Sequence, residues 1–191
     1  MKRLALIAVL TLICSAYQGL AGAQKAATPQ EEILSNLEKS LPSDPKARFF
    51  KLSEVAAAAF DAGDYDQAET YANELLSDAN LYRTNWNYGN AIFHGNMILG
   101  RVALKRDNNL SQAESYLLAA GKTPGSPQLI SFGPNMSLAN DLLIAGERDT
   151  VLDFIDECSK FWKMDGGKLS EWKNTIKSGG TPNFAPNLGY H

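Results

Sequence analysis

Helix stops come at short intervals along this chain. Gly63, Asn108-Asn109, Gly121, Gly146 and Gly179-Gly180 each close a stretch whose apolar residues recur three and four positions apart. No segment shows sustained period-two alternation bounded by hairpin turns, so strands are not expected. A chain cut this way folds as short helices packed on one another, an all-α class.

The start signals agree. Thr28-Pro29-Gln30-Glu31 supplies a cap, a proline at the first helical position and a capping-box Glu, and predicts a helix to about Leu41. Asp44-Pro45 repeats the device and predicts one helix carrying Phe49, Phe50, Leu52, Val55, Ala56, Ala59 and Phe60 to the stop at Gly63. Asp64 caps a helix towards Leu76, and the Asn-rich stretch before Arg106 contains a long one. Further helices are expected over 110–120, 135–145, 149–164 and 168–177. The segment "KTPGSPQLISFGPNMSL", 122–138, interrupts this series with three prolines and two glycines around Leu129, Ile130 and Phe132. It reads as a spacer with its apolar residues tucked in, or as a recognition loop at the rim of a groove.

The helices come in pairs, and the pairs are similar to one another. In "VAAAAFDAGDYDQAETYANELL", Ala56 and Ala68 stand 12 residues apart around Gly63. In "NMILGRVALKRDNNLSQAESYLLAA", Gly100 and Ala113 stand 13 apart, and in "MSLANDLLIAGERDTVLDFIDEC" Ala139 and Val151 stand 12 apart. This pattern over residues 50–162 resembles the tetratricopeptide family, in which a small residue on each helix of a pair lets the two approach closely. The units here recur at 44 and 39 residues against a family period of about 34. The resemblance implies a right-handed antiparallel helix-pair array of about three pairs plus flanking helices, whose first helices line a concave groove. Its inward positions would be Phe50, Ser53, Ala57 and Phe60; His94, Met97, Arg101, Leu104 and Lys105; and Met136, Asn140, Leu143 and Ile144. Phe50, Phe60, His94, Met97, Arg101, Lys105, Met136 and Asn140 are the candidate partner-binding residues: an apolar trough with a cationic centre, suited to an extended peptide. The competing reading packs some of these side chains inside a short, closed array.

The first 23 residues read as a signal peptide: Lys2 and Arg3, an apolar run from Leu4 to Ala16, then Ala21-Gly22-Ala23. The mature chain, from about Gln24, is expected in the periplasm or outside the cell, as a helical domain over 24–178 and an extended tail over 179–191. Loss of Lys2 and Arg3 takes the net charge from −3 to −5, and there is no basic stripe, so nucleic acid is not an expected partner. A protein or peptide is. Cys14 would leave with the signal, and Cys158 falls on the helical stripe Val151, Phe154, Ile155, Phe161, Trp162, which reads as a buried structural thiol before an intermolecular disulfide or a nucleophile.

Little in the chain suggests chemistry. His94 and His191 are 97 residues apart, with no zinc spacing between them, and no cofactor is expected. Asp61, Asp64, Asp66 and Glu69 cluster without the spacing of a calcium loop, and read first as a helix stop, a cap and a solvated first turn. Ser53, His94 and Asp61 can be assembled into a triad only on paper. "NLS" at 109–111 and "NMS" at 135–137 are glycosylation sequons. The expectation is a non-catalytic binding or scaffolding protein. The alternatives are a structural subunit of an envelope assembly and an enzyme with a loop-built site around "SFGPNM". The tail, with Phe184, Leu188 and Tyr190 but no Lys, Arg, Asp or Glu, is expected to dock back on the trough or on the 122–134 connector, where it would compete with a partner, or else to cover some other apolar face purely for stability.

Overall fold

The computed structural model describes residues 26–188, and every regular element among them is a helix. In chain order these are α1 (Pro29–Lys39), α2 (Pro45–Phe49), α3 (Leu52–Asp61), α4 (Tyr65–Ala79), α5 (Tyr88–Lys105), α6 (Leu110–Gly121), α7 (Pro127–Phe132), α8 (Ser137–Ala145), α9 (Arg148–Phe161) and α10 (Lys168–Lys177). The expected signal segment lies outside the described residues. No helix among them is long and apolar enough to cross a membrane.

The protein is all-α, with helix pairs packed side by side. The neighbours run α1 on α3, α3 on α4, α4 on α5, α5 on α6, then α6 on both α8 and α9, α8 on α9 and α9 on α10. The first helices of successive pairs also touch, α3 on α5 and α5 on α8. Short polar turns fold each pair. Asp64 accepts from Gln67 N at 3.1 Å to start α4, and Asn109 accepts from Gln112 N at 3.1 Å to start α6. Gly146 ends α8 with φ of 101°, a left-handed conformation that costs glycine nothing.

The small residues paired in the sequence all lie in helix contacts. Ala56, Ala68, Ala113, Ala139 and Val151 are fully buried. A Cβ at Gly100 would run into Leu138 and Tyr116, so α5 can approach α6 and α8 closely only because that position is bare. Gly95 does the same against α4, where a Cβ would lie 2.7 Å from Leu76 Cγ.

Two expected boundaries change. The helix predicted from Pro45 to Gly63 breaks at Phe50–Lys51, where Lys51 N donates to Arg48 O at 2.8 Å in a tightened turn. Two adjacent rings thereby reach the same loop: Phe49 lies 4.8 Å from Tyr82 and Phe50 5.5 Å from Trp86. The 122–134 stretch is not a structureless spacer either. Ser126 caps α7 by accepting from Leu129 N at 3.0 Å. The connector is pinned to the start of α5: Thr123 Oγ1 donates to Gly89 O at 2.7 Å, and Asn90 Nδ2 donates to Asn87 and Gln128. Leu129 is tucked in, but Ile130 and Phe132 are exposed.

The core divides at α5. One cluster joins Leu34, Phe49, Leu52, Val55, Phe60 and Leu75 to Ile98, Leu99 and Val102 on the near face of α5. The other joins Phe93, Met97 and Ala103 on its far face to α6–α10 and to Phe184 of the tail. Polar ties brace the first half from outside. Arg48 holds Glu74 by two bonds, Nε to Oε1 at 2.5 Å and Nη2 to Oε2 at 2.8 Å, and Tyr71 OH donates to Glu38 Oε1 at 3.0 Å.

Candidate functional site

Helices α3, α5 and α8 share one face, and the candidate residues distribute unevenly over it. Ser53 and Ala57 of α3, His94, Met97, Ile98 and Arg101 of α5, and Asn135 before α8 line one narrow fissure of about 20 Å³. Phe60 forms the support of its cationic wall, with the Arg101 guanidinium 4.1 Å over its ring centroid. Four of the eight candidates, Phe60, His94, Met97 and Arg101, therefore converge. Phe50 stands apart, stacked on Trp86. Lys105 spans α5 and α8 to Asp141 at 3.7 Å, and Asn140 is half-buried on α8.

The trough is narrower than expected from the sequence. Met136 is 0% exposed, Met97 3% and Phe60 7%, so as they stand they fill the seam rather than face a partner. Segment 133–136 is buried where the chain enters α8, with Asn135 lining the fissure beside α5 and Met136 in the same core cluster as Met97. Leu143 is also buried, whereas Ile144 points outward at 75% exposure.

Arg101 carries the electrostatic interest. Its Nε is buried and has no hydrogen-bond partner. Burial pushes the guanidinium below its ordinary value, against the opposing pull of Asp141 and Asp61. A positive charge held over an aromatic face and short of hydrogen bonds is poised to donate to an oxygen acceptor.

Beside the fissure lies a larger cleft that the sequence pattern did not lead us to expect. Between α1 and α3, residues Gln30, Ile33, Leu37, Ser53, Glu54, Ala57, Ala58 and Asp61 line a space of about 610 Å³. Ser53 and Ala57 of α3 line both, so the two lie side by side along α3. The signal was present: Ile33 and Leu37 are four apart on α1, on a stripe continuous with Leu34 and Leu41. At the other end of the helices, Arg83, Asn85, Trp86, Tyr88, Pro124, Pro127 and Ile130 border a second cleft of about 380 Å³, with Trp86 52% exposed.

The acidic cluster is spent on structure. Asp64 caps α4, and Arg106 reaches across to Asp66 and Glu69, each at 2.8 Å, while also holding Asp107. Cys158 is fully buried, and desolvation pushes its thiol up, which disfavours the nucleophilic thiolate. Of the two sequons, Asn135 is buried and half enclosed by the fissure, so only Asn109 lies at the surface. His191 lies outside the described residues.

The tail packs on α10 through Phe184 and reaches the end of the connector through Asn187, away from Arg101. Phe184 is 1% exposed, edge-on to Trp172 at 5.0 Å, and Trp172 lies 5.6 Å from Trp162. Burial of that one ring contributes about 1.5–3 kcal/mol. Arg148 clasps the exit of α10, donating from Nη1 to Gly180 O at 2.8 Å and from Nη2 to Gly179 O at 2.9 Å. Tyr190 lies outside the described residues. Comparison with protein-family models, with the curated proteins and with solved structures finds no match for this chain.

Proposed function

We propose that this is an exported, non-catalytic helical-repeat protein of tetratricopeptide-like design, and that it binds an extended segment of a partner protein along α1, α3 and α5. The observation that carries the reading is the α1–α3 cleft lying beside the Arg101 fissure, the two sharing Ser53 and Ala57 as lining, with the Arg101 Nε unpartnered. Ile33 and Leu37 offer an apolar shelf for a side chain, and Glu54 and Asp61 give that shelf a polar rim. Arg101 offers the guanidinium edge to a backbone carbonyl or a carboxylate, since its flat face is already taken by Phe60. A scaffold or adaptor role fits such a surface.

The test is the charge at Arg101, and the choice of substitution matters. Arg101→Glu would set another carboxylate beside Asp61 and Asp141 and lower stability for reasons unrelated to binding. Arg101→Met keeps the length of the side chain and removes a poorly solvated charge, an exchange that is often neutral or stabilising. Wild type and Arg101→Met are compared in pull-downs from native envelope extract, alongside their melting temperatures. The reading requires a partner that wild type retains and Arg101→Met loses, with the melting temperature held or raised. Equal retention by both proteins refutes it.

A further inference from the structure

Asn187 makes a set of bonds that serves one short segment of the molecule. Its Nδ2 donates to Phe132 O at 3.1 Å and to Pro134 O at 3.0 Å, and its backbone carbonyl accepts from Met136 N at 3.0 Å. Next along the tail, Leu188 O accepts from Ser137 Oγ at 3.0 Å. Residues 133–136 are all buried and belong to no helix, so their backbone polar groups need partners from elsewhere. Asn187 supplies two of these bonds, with Pro134 O and Met136 N, and a third to Phe132 O just before the segment, from more than fifty positions away. Asn135 sits between the two anchored residues, and Asn135 is the C-terminal wall of the Arg101 fissure.

We propose that residues 181–188 are a strap that holds this fissure shut, with Asn187 as the positioning residue. A peptide segment advancing from the α1–α3 cleft towards Arg101 must push Asn135 aside, and Asn135 moves only when Asn187 lets go. Strap docking and deep engagement of the groove are then mutually unfavourable, and by linkage each weakens the other equally. The strap acts on the wall of the site from behind and does not occupy the site itself. Its anchors suit a latch. Phe184 and the Arg148 clasp keep residues 179–184 in place, so Asn187 can release and rebind without losing its local concentration. The proposal rests on the reading of this face as a binding surface, but the test below needs no partner.

Met97 lines the fissure and is nearly inaccessible, so the thiol introduced by Met97→Cys, in a Cys14→Ser background, reports opening through its reaction with an aromatic disulfide reagent. Cys158 is fully buried and provides a silent background. Asn187→Ala leaves the buried Pro134 carbonyl and the part-buried Phe132 carbonyl without their donor, while the backbone bond from Met136 N remains available, and the labelling rate is expected to rise about tenfold. Amide exchange at 133–137 should quicken in parallel, while the amides of α4 stay protected. Asn187→Asp should behave like Asn187→Ala, because a carboxylate cannot donate to the two carbonyls. If α4 loosens as well, Ser137→Ala replaces it, since that change deletes only the bond to Leu188 and should raise labelling by roughly threefold. Unchanged labelling at position 97 overturns the proposal, as does faster exchange at 133–137 with the fissure still closed. Raised labelling combined with partner binding that ignores Arg101→Met would keep the strap and discard the groove.

Discussion

The two halves of the core are built from different side chains. Among the described residues, the cluster between α1 and the near face of α5 contains six alanines and two phenylalanines. The cluster beyond α5 contains four alanines and six aromatic rings. Alanine seams let helices lie close and regular, and their cost is a small buried area per residue. The first half makes up part of this with surface ties such as Arg48–Glu74 and Arg106–Asp66–Glu69. Rings fill large and irregular spaces, and the second half has such spaces because a connector and a tail are packed into it. Gly133 shows the contrast: it lets the chain turn with φ of 85° directly against the Trp162 ring, where any Cβ would collide. The lesson is that regular pairs can be assembled from spacing alone, whereas irregular segments need bulky partners to hold them.

Removing a ring from the second half should produce the largest effect. Trp172 sits between Trp162 and Phe184, and Trp172→Ala is expected to cost about 3–5 kcal/mol. Thermal melting measures the loss. Hydrogen exchange should place it in α9, α10 and residues 181–188, with α3 and α4 largely spared. Equal loosening of both halves would mean the division at α5 has no energetic content.

The next test overfills the first half. Ala68 is fully buried in the α3–α4 seam, and Ala68→Trp should cost about 1–3 kcal/mol or more, because a large ring cannot enter a close helix contact without strain. An unchanged far-ultraviolet circular dichroism spectrum and melting temperature would show that the seam is not close-packed.

The smallest effect concerns a tie and not the core. Burial first, and the bond to Glu38 second, push the Tyr71 hydroxyl up to about 12 from about 10. The folded state therefore holds this proton more tightly than the unfolded state does. The contribution of the bond is complete below about pH 10 and is lost as pH rises through about 12. Tyr71→Phe should remove that contribution, so the stability gap between wild type and variant narrows between those values. A gap that is flat with pH, measured by denaturant unfolding, would show that the bond does not couple α1 to α4.

Much of the helical framework was legible in the sequence. Thr28, Asp44 and Asp64 cap as their residue types suggest, and Asn109, expected only as part of a turn, caps α6, because a cap is a local contact made within three residues. The last helix, Lys168–Lys177, has the bounds its pattern implied. The candidate site was half legible. Positions on α5 converge because helical periodicity alone puts His94, Met97 and Arg101 on one face. Met136 failed as a surface residue because its exposure depends on how segment 133–136 packs where the chain enters α8, which no local pattern encodes.

What the sequence determined by itself was therefore the class of fold and the pairing of helices, through turns, caps and small residues whose effects act over one or two helical turns. What only the tertiary structure decided was the closure of the fissure. That closure depends on Asn187 reaching Phe132, Pro134 and Met136 across more than fifty residues of chain. A polar side chain satisfying buried backbone groups leaves no periodic trace in sequence, because its partners are defined by position in space and not by residue type.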